Sequence, residues 1–192
     1  KGHEATITRL RNIIQTGEIQ QLGRACAQTM LTLGDKSGRK EPQLRIGYRG
    51  MCKLARQTGN VLAIYVHKVR EKDFFEVDQG APKRITHRPV PFGARGPTIG
   101  YFAVITYATG AFDFDTMSRV ETRAIRDRSD AWKAYAENKI KSTPWSTDED
   151  EMAKKTVLRR LLKRQDMSPE MRAAIEIEDR AEFPEMRPGH AI

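Results

Sequence analysis

Lysine and arginine recur at Lys154, Lys155, Arg159, Arg160 and Lys163, spacings that a helix converts into a stripe. On a helix from Asp148 to Gln165, a step of about 100° per residue gathers Lys155, Arg159, Arg160 and Lys163 on one side. Positions 155, 159 and 163 then stack along about 12 Å of axis, a length that can follow a phosphate backbone. The alternative is a solvated basic face on a helix held by its other side. That side is the arc Ala153, Val157, Leu158, Leu161 and Leu162, which predicts packing on a core. Lys154 falls inside the arc and must either snorkel outward or meet a partner.

Further basic residues could extend the stripe. Arg45 and Arg49 flank Tyr48, Lys68 and Arg70 close a strand, and Arg84, His87 and Arg88 precede a proline-rich loop. Surface solvation is the alternative for each. Tyr48, Tyr65, Phe92 and Trp145 lie near these charges and could stack on unpaired bases, a contact worth about 1–3 kcal/mol per base. Trp145 and Tyr48 fit stacking best, and Tyr65 fits a core position.

Enzymatic chemistry finds little support. No G-x-x-x-x-G-K-[ST] loop occurs, and Gly34–Gly38 lacks the lysine and flanking strand that would cradle nucleotide phosphates, which disfavours ATP-driven action. Asp148, Glu149, Asp150 and Glu151 splay around a helix start, where the helix dipole accounts for them. Asp113 and Asp115 share one strand face but lack an identifiable base or third ligand. Cys26 and Cys52 are isolated from each other and from the histidines, as buried free thiols would be. No catalytic residue, metal or cofactor is expected.

The elements that must hold the basic residues follow from periodicity and breakers. Ile7, Leu10, Ile13 and Ile14, then Leu22, Cys26, Met30 and Leu33, predict two helices joined near Gly17, before a charged loop over Gly34–Pro42. Gln43 opens a new segment, and a short helix runs from Tyr48 to about Thr58. Val61–Val66 reads as a strand with Phe74–Asp78 pairing back on it, and the prolines and glycines from Pro89 to Pro97 make a shaped surface loop. Tyr101–Tyr107 turns at Thr109-Gly110 into Ala111–Asp115. Ser118 and Glu121 fit a capping box opening a helix that continues, with a break, to about Lys139. A loop over Lys141–Ser146 leads to the basic helix, and Ser168-Pro169 starts a terminal one. The fold class is α+β: a small antiparallel β-sheet of hairpins packed with several helices, with the long basic helix in the C-terminal half.

The chain has 192 residues, and 34 lysines and arginines against 25 acidic residues give a net charge of +9. That excess favours polyanionic partners. No run approaches the roughly 18 consecutive apolar residues of a spanning helix, and Lys1–Leu10 lacks a signal-like apolar region, so the chain reads as cytoplasmic with no membrane contact.

The block Leu44-Arg-Ile-Gly-Tyr-Arg-Gly-Met-Cys-Lys-Leu-Ala-Arg-Gln-Thr-Gly59 closely resembles the RecT family of phage single-strand annealing proteins. The resemblance continues through Val69–Val77, Ile85–Pro89, Tyr101–Val104, Met117-Ser118, Pro144-Trp145 and the long block Glu151–Lys163. It implies an ATP-independent protein that binds single-stranded DNA, anneals complementary strands in homologous recombination and passes through an annealed duplex intermediate. It also implies a homo-oligomer, as ring or helical filament, a partner 5′→3′ exonuclease and a host single-strand-binding protein. By matching, Lys154, Lys155, Arg159, Arg160 and Lys163 take DNA-backbone contact, with Arg45, Tyr48, Arg49 and Arg88 secondary and Lys68, Arg84, His87 and Trp145 as further candidates. The implied organisation is a helical region and loop over residues 1–42, suited to oligomerisation, an annealing core over 43–183 and a tail over 184–192. A strand-coating module that does not anneal, and a metal-dependent nuclease, are the competing readings.

Overall fold

The computed structural model describes residues 27–32, 41–46, 48–57 and 59–165, with residues 169, 172, 173, 175, 176 and 179 beyond them. The chain divides into two units, Lys1–Thr58 together with Met167–Ile192, and Gly59–Asp166.

In the first unit, β1 (Ala27–Thr32) pairs antiparallel with β2 (Glu41–Ile46), Ala27 opposite Ile46 and Thr32 opposite Glu41. This corrects the helix expected up to Leu33. The spacing of Cys26, Met30 and Leu33 suits a helix, but Thr29 and Thr32 suit a strand, and the ladder with β2 decides between them. Ile7–Ile14, the junction at Gly17, residues 22–26 and most of the charged loop lie outside the described residues. The expected short helix is present as α1 (Tyr48–Gln57), with Met51, Cys52, Leu54 and Ala55 buried. Burial pushes the Cys52 thiol up, against a hydrogen bond from Tyr48 and the charge of Arg56, so it behaves as a buried free thiol.

The second unit is built on a three-stranded antiparallel sheet, order β3-β6-β7, from β3 (Val61–Arg70), β6 (Thr98–Tyr107) and β7 (Phe112–Ser118). Tyr65 lies opposite Val104, and Val104 opposite Phe114. Gly110, at φ +83°, makes the β6–β7 turn, a left-handed conformation that suits glycine. Phe74–Asp78 forms β4, but its partner is β5 (Arg84–Arg88), not β3 as the sequence predicts. β6 occupies the inner side of β3 along its length. The β4–β5 hairpin instead packs on the sheet through rings, with Phe75 and His87 centred 5.4 and 5.1 Å from Phe102.

The helices complete the unit: α2 (Arg119–Arg128), α3 (Asp130–Ala136), α4 (Pro144–Thr147) and α5 (Glu149–Leu162). Ser118 and Glu121 form the expected capping box, and Ser129 makes the expected break by ending α2 and capping α3. α5 lies on the sheet face carrying Tyr101, Ala103, Ile105 and Met117, all buried together with Ala153, Val157, Leu158, Leu161 and Leu162. The predicted apolar arc is therefore the core-facing arc. The α+β class holds.

Candidate nucleic-acid interface

Burial on α5 extends beyond the apolar arc. Thr156 is buried with its hydroxyl on the Met152 carbonyl, and Arg159, placed on the solvent arc by the helical wheel, is only 6% exposed. Lys155 is half-buried and Lys163 exposed, and none of Lys155, Arg159 and Lys163 is free of interactions. The wheel fixes angles around one axis. It does not register burial by the rest of the fold, and with Arg159 buried α5 carries no continuous solvent stripe.

Arg160 is committed to the sheet. Its guanidinium holds Asp115 through Nε at 2.5 Å and Nη2 at 2.9 Å and donates to the Thr116 carbonyl at 2.6 Å. Arg164 donates to the Phe114 carbonyl at 3.0 Å. The Phe114 and Thr116 amides donate to the carboxylates of Asp113 and Asp115, at 2.9 Å each. Pairing in an antiparallel ladder alternates, so these groups are the outward row of the β7 edge. Four side chains thus satisfy that edge from within. Asp113, tied to Lys83 and Gln165, and Asp115 are neutralised by these partners rather than left as a carboxylate pair.

Lys154 takes the other route allowed by its position. It pairs with Glu151 at 2.5 Å and reaches the rim of a groove of about 600 Å³ along the β3 edge. Tyr65, His67, Lys68, His87, Arg95 and Lys154 line this groove, and no acidic residue does. Tyr65, assigned to the core by its sequence context, is 51% exposed. It shares the face of Val104 and Phe102 opposite α5, and the β4–β5 hairpin leaves it uncovered. Lys68 pairs with Asp150 at 2.6 Å. Such solvent-facing pairs contribute about 0–1 kcal/mol, so a phosphate can displace their carboxylates. Burial, then the charges of His87 and Lys154, push the His67 imidazole below its ordinary value.

Strand alternation separates the residues of β5. His87 turns inward to Asp73 at 3.1 Å, whereas Arg84 and Arg88 are exposed on the opposite face, Arg88 lying 5.6 Å from the Phe74 ring centre. Trp145 is 2% exposed, and its indole nitrogen is buried without a hydrogen-bond partner. It is core, not the stacking platform suggested by its place in a loop. Arg45 sits on β2 opposite Gln28 and Arg49 in α1, while Tyr48, half-buried, hydrogen-bonds Cys52. Arg95 is the groove residue that sequence reasoning missed. Its signal was weak, a lone arginine among glycines and prolines.

The acidic start of α5 is structural. Glu149 receives Arg119 and Arg123 at 2.9 and 2.7 Å with Arg126 at 3.3 Å, and hydrogen bonding from Arg123, against burial, holds its carboxyl down at about 2. Asp150 accepts from Lys68 and from the Tyr101 hydroxyl at 2.7 Å. Among the described residues no group of three or more histidine, cysteine or acidic side chains is placed to hold a metal, and no helix is long and apolar enough to cross a membrane.

A profile of the RecT family matches residues 13–188. The chain belongs to the RecT family. It is 34% identical over 159 residues to Protein RecT of Escherichia coli strain K12, a match covering 83% of this chain and 56% of that relative. The chain therefore spans a little over half the length of the relative. The RecT match takes in residues of both units.

Proposed function

We propose that this chain binds single-stranded DNA and anneals it to a complementary strand in homologous recombination, without ATP and as an oligomer on DNA. The observation that carries the reading is the β3 groove on a RecT-family chain: Lys68, Arg95 and Lys154, each paired with a carboxylate outside the lining, stand beside an exposed Tyr65. Cations offset phosphate repulsion, an aromatic ring accepts a base face, and the annealed product is favoured by pairing free energy alone. By ladder alternation the amides of Ile64, Val66 and Lys68 point outward from β3, and no described residue bonds them. They add neutral donors for phosphate oxygens.

In this reading no residue is catalytic, and a 5′→3′ exonuclease supplies the single strand. The test is the rate of pairing of complementary oligonucleotides with and without protein, in the absence of nucleotide. Acceleration supports annealing, whereas strand binding without acceleration reduces the chain to a coat protein. Loss of labelled DNA in magnesium, prevented by chelator, would replace the reading with a nuclease.

A further inference from the structure

Between β5 and β6 the chain carries Phe92, 90% exposed and the most exposed of the large apolar side chains described. The loop bearing it is braced. Asp73, whose side chain has no exposure, accepts from the Val90 amide at 3.2 Å and from Arg95 Nε and Nη2 at 2.8 and 2.5 Å. It also accepts from the Arg70 amide at 2.9 Å and bonds His87 at 3.1 Å. The Glu71 and Lys72 amides donate to the Pro97 and Arg95 carbonyls at 3.0 and 3.1 Å. Gly96, at φ +79°, passes so close to Glu71 that a Cβ there would lie 2.9 Å from its carboxylate. Both ends of the loop are thus fixed to the β3–β4 turn, while its tip holds a bare aromatic ring in water.

We propose that Phe92 inserts between neighbouring bases of a single strand lying in the groove, and that Asp73 is the positioning residue that presents it. This rests on the DNA-binding reading above. A loop whose two ends are already braced loses little backbone freedom when its tip stacks, so less of the contribution is consumed by ordering. Arg95 ties the tip to the strand's path. It lies three residues after Phe92, lines the groove and shares the Asp73 brace. Three residues span at most about 11 Å of chain, about three nucleotide steps at roughly 3.4 Å each. Apolar side chains that enter base steps in this way unstack them locally, and an unstacked step exposes base edges for a second strand to test.

The test uses the full chain with a single strand carrying 2-aminopurine, a base whose fluorescence reports unstacking, and a matched strand with abasic sites. Phe92→Ala is expected to weaken binding of the normal strand about tenfold, equivalent to about 1.4 kcal/mol. It should remove the 2-aminopurine signal, leave abasic-strand affinity unchanged and keep the wild-type salt slope. Phe92→Trp should restore both losses. Asp73→Asn should reduce the signal, and added to Phe92→Ala it should produce less than the product of the single effects. Equal loss on normal and abasic strands, or an unchanged 2-aminopurine signal in Phe92→Ala, overturns the insertion. A change in oligomer size with base contact intact overturns it in favour of a contact between copies. If the wild-type chain fails to bind single strands at all, the DNA-binding reading falls and this inference falls with it.

Discussion

The two edges of the β3-β6-β7 sheet are built in opposite ways. At β7 the outward amides of Phe114 and Thr116 are taken by Asp113 and Asp115, and their carbonyls by Arg164 and Arg160. At β3 the corresponding groups of Ile64, Val66 and Lys68 meet no described residue, and the adjoining groove is lined by Lys68, Arg95 and Lys154. An unpaired edge is a template for association, and natural sheets cover the edges they do not use. The difference separates two uses of basic residues. Arginines of the α5 region close one edge as structure, while Lys68 and Lys154 at the other edge pair with the more exposed carboxylates of Asp150 and Glu151.

The largest expected effect comes from undermining the helix behind the closed edge. Arg159→Glu reverses a buried charge and should destabilise the fold by about 3 kcal/mol or more, read as a lower urea midpoint, whereas Lys155→Glu should cost far less. Equal midpoints for the two variants would return Arg159 to a solvent stripe. Next, Asp115→Asn removes a charged acceptor from Arg160 and should cost about 1–3 kcal/mol while leaving single-strand affinity near wild type. Strong loss of DNA binding without loss of stability would mean that Arg160 contacts DNA instead of closing β7.

At the open edge, Lys154→Glu should leave the thermal midpoint nearly unchanged, weaken single-strand binding several-fold and reduce the salt slope by about 1. An unchanged slope would remove the groove from the phosphate path. The remaining comparison concerns acid stability. Glu149 is held at about 2 in the folded chain, against an ordinary value of 4.5, so its contribution is fully present above about 4.5 and is lost as pH falls toward 2. Glu149→Gln should lower stability at neutral pH and flatten the acid limb of a stability-versus-pH curve. A curve parallel to wild type would show that Arg119, Arg123 and Arg126 do not hold this carboxylate in solution.

Much of the second unit was legible in sequence because the signals are local. The Ser118–Glu121 capping box, the Gly110 turn and the apolar arc of α5 each depend on residues a few positions apart. The site was less legible. Trp145 and Tyr65 exchanged their expected places because burial of an aromatic depends on which distant element covers it. Arg84, His87 and Arg88, adjacent in sequence, part company because a strand alternates and only one face meets Phe102 and Asp73. The pairing of β4 with β5 instead of β3 was likewise out of reach, since β-pairing is a competition among segments far apart in the chain.

By itself the sequence determined the family, since the blocks around Leu44–Gly59 and Glu151–Lys163 are properties of residue identity and order. It also determined that α5 would be helical and which arc would face the core. Only the tertiary structure decided which cations are spoken for. A helical wheel treats Arg160 and Lys154 as equivalent charges, but one meets a buried carboxylate on β7 and the other reaches the groove at β3. The physical reason is that each of these cations has a carboxylate partner, and how readily a ligand can replace that partner depends on its burial, Asp115 being buried and Glu151 exposed, which the fold around them settles.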